Sequence, residues 1–110
     1  MKKILIYGHK SFIAKNFIQD YSKKYNLFFF KKRFNKTIKF EKLIIKFIKK
    51  SNIKYIINFA ANNDNSSNSK NFNEIIESNF NLPVKLIEIS KKLNLTLFLF
   101  SSKDIYKSHS

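Results

Sequence analysis

Gly8 is the only glycine in this 110-residue chain. It stands directly behind the apolar run Lys2 to Tyr7 (KKILIY) and three residues ahead of Ser11. A glycine between a strand and a helix suits phosphate binding. It lets the chain turn tightly and brings the N–H groups at the positive end of the helix up to an anion. A plain turn glycine is the alternative, since any tight turn favours one. Other chemistry has fewer candidates. Cysteine is absent, which excludes disulfides and thiolate metal sites and fits a cytoplasmic protein. His9 and His109 have no partner pattern around them and read as exposed loop residues. Lys31, Lys32 and Arg33 form a basic run with no acid beside it, and Ser101-Ser102 close the last apolar run.

These residues need elements to position them, and the apolar spacing supplies the elements. KKILIY is short and continuously apolar, as in a strand buried on both faces. Phe12, Ile13, Phe17, Ile18, Tyr21 and Tyr25 recur at helical spacing, which predicts a helix from Ser11 to about Lys24. Leu27 to Phe30 (LFFF) reads as a second buried strand. Phe40, Leu43, Ile44, Phe47 and Ile48 mark a second helix ending near Ser51-Asn52. Lys54 to Phe59 (KYIINF) is a strand, and Asn62 to Lys70 is a polar loop. Asn71 with Glu74 forms a candidate capping box for a helix running to about Leu93. Pro83 inside that stretch either kinks the helix or starts a new first turn. Leu95 to Phe100 (LTLFLF) is the last strand, and Asn35 to Lys39 is a further strand candidate. Strands alternating with helices predict an α/β fold: a Rossmann-like doubly wound parallel sheet, incomplete, with about four to five strands.

Length allows one small domain, with a core of little margin. Hydrophobic residues make up 44% of the chain and 13 are phenylalanine, so the composition is not that of a disordered protein. No apolar run is long enough to cross a bilayer. Met1 to Tyr7 has the charge and apolar order of a signal peptide, but Gly8 and Lys10 interrupt it and no small-residue cleavage site follows. The net charge is +15, which suggests a nucleic-acid partner or an anionic surface. Against nucleic acid, the charge is nearly all lysine, with Arg33 the only arginine, and it is spread along the chain. Lys, Asn, Ile and Phe all have A/T-rich codons, so codon bias accounts for the same composition. Phosphate and base recognition enrich arginine, whose planar fork binds in two places.

Four stretches carry a resemblance. GHKSFIA, from Gly8 to Ala14, resembles the nucleotide-binding turn G-x-x-G-[FY]-[IL]-G of the extended short-chain dehydrogenase/reductase family. Ser11 stands at the second glycine and Ala14 at the third. YIINFAA, Tyr55 to Ala61, is similar to the family's strand ending in [NH]-x-A-[AG]. SNFNLPVKLIEIS, Ser78 to Ser90, places Asn79, Pro83 and Leu86 on N-x-x-x-[PT]-x-x-L. LFLFSSKDIYK, Leu97 to Lys107, matches S-[ST]-x-x-[VI]-[YF] with Ser101, Ser102, Ile105 and Tyr106; Lys107 departs from the pattern. Pro83 and Asp104 lean toward the branch of dTDP-4-dehydrorhamnose reductases.

The resemblance implies the N-terminal part of an NAD- or NADP-dependent enzyme that acts on sugars attached to nucleotides. By that resemblance the turn Gly8, Lys10, Ser11, Phe12 and Ile13 holds the pyrophosphate. Phe59, Ala60 and Ala61 line the adenosine or nicotinamide-ribose side. An acid after the second strand would bind the ribose 2′-OH of NAD; Lys31, Lys32 and Arg33 favour the 2′-phosphate of NADP, with solvated lysines the alternative. Ser102 takes the family's catalytic Ser/Thr position, its hydroxyl facing a substrate oxygen, with a turn or capping serine the alternative. The family's Tyr-x-x-x-Lys pair does not occur: Tyr106 is followed four residues on by Ser110. The expectation is a half-domain spanning residues 1–110, without the catalytic pair or the sugar-binding part, cytoplasmic, and a candidate for homo-oligomerisation. A non-catalytic remnant or binding module is the competing class, and a basic nucleic-acid binder the third. Lysines clustered on one face would favour that third class.

Overall fold

The computed structural model describes residues 1–35, 37–60 and 80–100. In chain order they form β1 (Lys3–Tyr7), α1 (Phe12–Tyr21), β2 (Asn26–Phe30), α2 (Ile38–Ser51), β3 (Tyr55–Asn58), α3 (Leu82–Leu93) and β4 (Thr96–Leu99). The strands make one parallel sheet in the order β2-β1-β3-β4. β1 runs through its interior, with Leu5 opposite Phe28 on one side and Ile56 on the other. That position explains its unbroken apolar run, because Ile4, Leu5, Ile6 and Tyr7 are all buried.

Successive strand residues feed two cores. Leu5, Tyr7, Phe30 and Ile56 face the layer of α2 and α3, where Phe40, Ile44, Ile48, Leu82, Leu86 and Ile89 are buried against them. Ile4, Ile6, Ile57 and Phe59 face α1, whose Ala14 is fully buried. Helical spacing at four-residue intervals puts Phe40, Ile44 and Ile48 on one stripe of α2. Lys85 bridges Glu88 at 3.1 Å and Glu41 at 3.6 Å, so a charge pair joins α3 to α2 at the surface. Both α2 and α3 end on asparagines in the left-handed region, Asn52 at φ 55° and Asn94 at φ 58°. Each donates its N–H back to the last turn, the role glycine fills in most chains.

The sheet has four strands among the described residues, within the expected four to five. Several other expectations change. Asn35 to Lys39 holds no strand at its described residues. The Asn35 Oδ1 accepts the Thr37 N–H at 3.0 Å, and helix α2 starts directly afterwards at Ile38. Phe12 does not join the core face of α1; it is 79% exposed. α1 closes at Tyr21, short of Lys24, where the Lys24 and Tyr25 N–H groups both turn back to the Tyr21 carbonyl. Pro83 lies in the first turn of α3, a position that tolerates a residue without an N–H. As fits a sheet that ends at its last apolar run, β4 lies at the edge of the described sheet, with Phe98, Leu99 and Phe100 each more than two-fifths exposed. The Asn62–Lys70 loop and the Asn71/Glu74 capping box lie outside the described residues.

α3 offers a stability test one turn apart. Leu86 is fully buried, whereas the buried Ser90 hydroxyl has no hydrogen-bond partner among the described residues. Leu86→Ala is expected to cost about 2–5 kcal/mol. Ser90→Ala is expected to raise stability by up to about 1 kcal/mol, since alanine has the higher helix propensity and leaves no polar atom unpaired. Urea unfolding followed by circular dichroism measures both.

Candidate functional site

The chain leaves β1 through α1 to reach β2 on one side, then returns through α2 to β3 on the other. The connections therefore part between β1 and β3. At such a switch point the carboxyl ends of the strands leave a crevice where open α/β sheets take ligands.

Gly8 stands there with φ +83°. A Cβ on it would lie 2.4 Å from the Ala60 backbone nitrogen, 2.7 Å from the Ala60 Cα and 2.8 Å from the Phe59 carbonyl carbon. Side-chain-bearing residues do not tolerate such distances to backbone, so glycine is the residue that fits. The neighbouring bonds hold the approach in place. The Phe59 N–H donates to the Tyr7 carbonyl at 2.8 Å, and the Phe100 N–H to the Asn58 carbonyl at 3.0 Å. The Asn58 side chain, 2% exposed, accepts the Ala60 N–H at 3.0 Å and so turns the chain out of β3.

The turn then opens α1. The Ser11 N–H donates to the Gly8 carbonyl at 3.1 Å, and the Ser11 hydroxyl caps the Ala14 N–H at 3.1 Å. Ser11 itself is extended, φ −68° and ψ 156°, which any residue adopts. The backbone angle at this position therefore does not call for glycine, and a capping residue occupies it. The first-turn N–H groups of Phe12 and Ile13 have no carbonyl one turn back, so they remain at the positive end of the helix. His9 is half-buried in the turn, 6.2 Å from the Phe29 ring, rather than fully exposed. Its imidazole is held below the ordinary range by burial first, then by the positive charges of Lys31 and Lys10. The loops after β1 and β2 therefore share one positive field.

Lys31, Lys32 and Arg33 are exposed just past β2. The Tyr7 hydroxyl donates to the Lys32 carbonyl at 2.8 Å. The structure thus gathers Gly8, Lys10, Ser11, Phe12, Ile13, the Lys31–Arg33 run and Ala60 at one edge of the sheet. Phe59 reaches that edge by its backbone only. Its ring is buried on the α1 side, 5.6 Å from Phe17 and 5.4 Å from Phe100. Ala61, Ser102 and His109 lie outside the described residues. Tyr7 was not singled out by sequence reasoning, and Asn58 entered only as the polar position of the [NH]-x-A-[AG] motif, with no role given. The signal at both is a polar group ending an otherwise apolar strand.

Gly8→Ala is expected to destabilise the fold by roughly 2–5 kcal/mol, from left-handed strain plus the backbone clash. Chemical denaturation measures the loss. A variant as stable as the original chain would mean that the turn and the end of β3 do not meet.

No curated protein and no solved structure matches the chain. A family model does match, that of the NAD dependent epimerase/dehydratase family, and it spans residues 4–110. It starts inside β1 and takes in the glycine turn, the switch-point crevice and every strand of the sheet. With the parallel α/β order and a glycine that the β1–β3 approach demands, this near-complete match means that the chain belongs to the NAD dependent epimerase/dehydratase family.

Proposed function

We propose that residues 1–110 form the dinucleotide-binding half of a nucleotide-sugar oxidoreductase, of the dTDP-4-dehydrorhamnose reductase type or a sugar epimerase or dehydratase. The observation that carries the reading is the crevice between β1 and β3, where the Gly8 turn meets the backbone of Phe59 and Ala60 and α1 presents its amino terminus. The family implies a nicotinamide dinucleotide, and the residues at this edge suit one. Two first-turn N–H groups, small side chains and the positive field felt by His9 fit a pyrophosphate. A bound dinucleotide of this kind supplies the hydride. Gly8, Lys10, Ser11, Phe12 and Ile13 would hold its phosphates. Ala60 and Ala61 leave room for the ribose, while Lys31, Lys32 and Arg33 take the 2′-phosphate of NADP. Ser102 orients a substrate oxygen by hydrogen bonding.

Exposed lysines stand on both faces of the sheet, Lys15 on α1 and Lys42, Lys46 and Lys49 on α2. That distribution supports a solvated lysine-rich surface over a single nucleic-acid stripe. Among the described residues no helix is long and apolar enough to cross a membrane, and no group of three or more His, Cys, Asp or Glu could hold a metal.

Two outcomes test the reading. Calorimetry is expected to show NADPH binding tighter than NADH, with Arg33→Glu weakening NADPH about tenfold or more and NADH far less. Equal affinities before and after the change would mean that the basic run only faces solvent. The second outcome concerns turnover. Reducing a keto-sugar needs a proton beside the hydride, and no tyrosine in these 110 residues is followed four positions on by a lysine. The folded 110-residue chain is therefore expected to bind cofactor without oxidising NAD(P)H when offered nucleotide-linked keto-sugars. Turnover abolished by Ser102→Ala would overturn the assignment to a binding half.

A further inference from the structure

Tyr7 ends β1 opposite Phe30, the last residue of β2. Its ring is buried, stacked 6.2 Å from Phe30 and edge-on 6.2 Å from Phe40. A phenylalanine would satisfy that packing equally, so the hydroxyl calls for a separate reason. It donates to the Lys32 carbonyl at 2.8 Å, across 25 residues of sequence. Two residues on, the Phe34 ring packs 5.1 Å from the same Phe40. The segment from Lys31 to Phe34 that carries these two anchors has no strand or helix of its own, and Lys31, Lys32 and Arg33 are exposed on it.

We infer that Tyr7 is a positioning residue for phosphate selectivity: its hydroxyl latches the segment after β2 to the carboxyl edge of β1, one residue before Gly8, so that the basic side chains stand beside the pyrophosphate turn. The selectivity consequence rests on the NADP assignment proposed above; the latch itself does not. The phenol keeps its proton for this role. Burial pushes its pKa up to about 12, against the opposite pulls of the Phe34 backbone and the Arg33 charge. Placing the basic segment costs a ligand less when the chain is already held, which is how one neutral hydrogen bond affects binding by a charged residue it does not touch.

Tyr7→Phe keeps the ring and removes the latch. Two readouts separate its parts. Tryptic cleavage after Lys32 and Arg33, read by mass spectrometry, is expected to accelerate about fivefold, with cleavage after Lys24 unchanged. The ratio of NADPH to NADH affinity is expected to fall by a similar factor through weaker NADPH binding alone. Phe34→Leu loosens the other anchor without touching β1, and moves both readouts in the same direction even if Tyr7→Phe does not fold. Unchanged cleavage in the folded variants overturns the latch. Faster cleavage with an unchanged affinity ratio overturns the selectivity role. Equal NADPH and NADH affinity in the unsubstituted chain overturns the NADP assignment and the selectivity role together, and the cleavage result then still decides the latch.

Discussion

The approach of Gly8 to the backbone of Phe59 and Ala60 is the constraint around which this sheet is arranged. Among the described residues three have positive φ: Gly8, Asn52 and Asn94. The two asparagines end helices, where left-handed backbone is required but space for a side chain remains, and Asn accepts that conformation at modest cost. At Gly8 the conformation is joined by a contact of 2.4 Å from any Cβ to the Ala60 nitrogen. No side chain meets both conditions. At the described positions of positive φ, this chain uses asparagine where backbone angle alone is at issue and glycine where volume is.

That contact has consequences on both sides. Toward the sheet, it lets the carboxyl ends of β1 and β3 close together, with the Phe59 N–H on the Tyr7 carbonyl. Toward solvent, it sets α1 so that Ser11 caps the first turn and the remaining first-turn N–H groups face the crevice. The fold and the candidate binding edge thus depend on one close approach. The charge pattern follows the same geometry. Lys10 lies in the turn after β1 and Lys31 in the segment after β2, and both depress the His9 imidazole because these strands are hydrogen-bonded neighbours.

Packing around the edge is uneven. Rings of Tyr7, Phe30 and Phe34 surround Phe40, Phe47 packs edge-on against Phe30, and together they fill the α2 side, where aromatic edges meet faces. On the α1 side, among the described residues, one helix packs against β1, β2 and the end of β3, while Phe98 and Phe100 at the β4 edge stay more than two-fifths exposed. An apolar edge strand of this kind is the least protected part of the described sheet.

The amino-acid sequence alone determined the order of elements, the parallel sheet, the strand–glycine–helix turn and most of the core. KKILIY, LFFF and KYIINF are continuous apolar runs, and only strands buried on both faces need that pattern. Phe40, Ile44 and Ile48 recur at a spacing that only a helix aligns. These signals are local, a period or a run within a few residues. The resemblance of four short motifs added the family and the identity of the candidate binding residues. What only the tertiary structure decided is non-local. That β1 runs between β2 and β3, while LTLFLF pairs with β3 at the edge of the described sheet, depends on pairing between distant segments. Phe12 fits the apolar spacing of α1 but stands exposed, because the core on that side lies under Ala14, Ile13 and Phe17. The hydroxyl of Tyr7 looks incidental in an apolar run until Lys32 is brought to it from 25 residues away. Gly8 could have been a plain turn glycine in the sequence; the backbone of Phe59 and Ala60 just past β3, more than fifty residues on, is what excludes every other residue there.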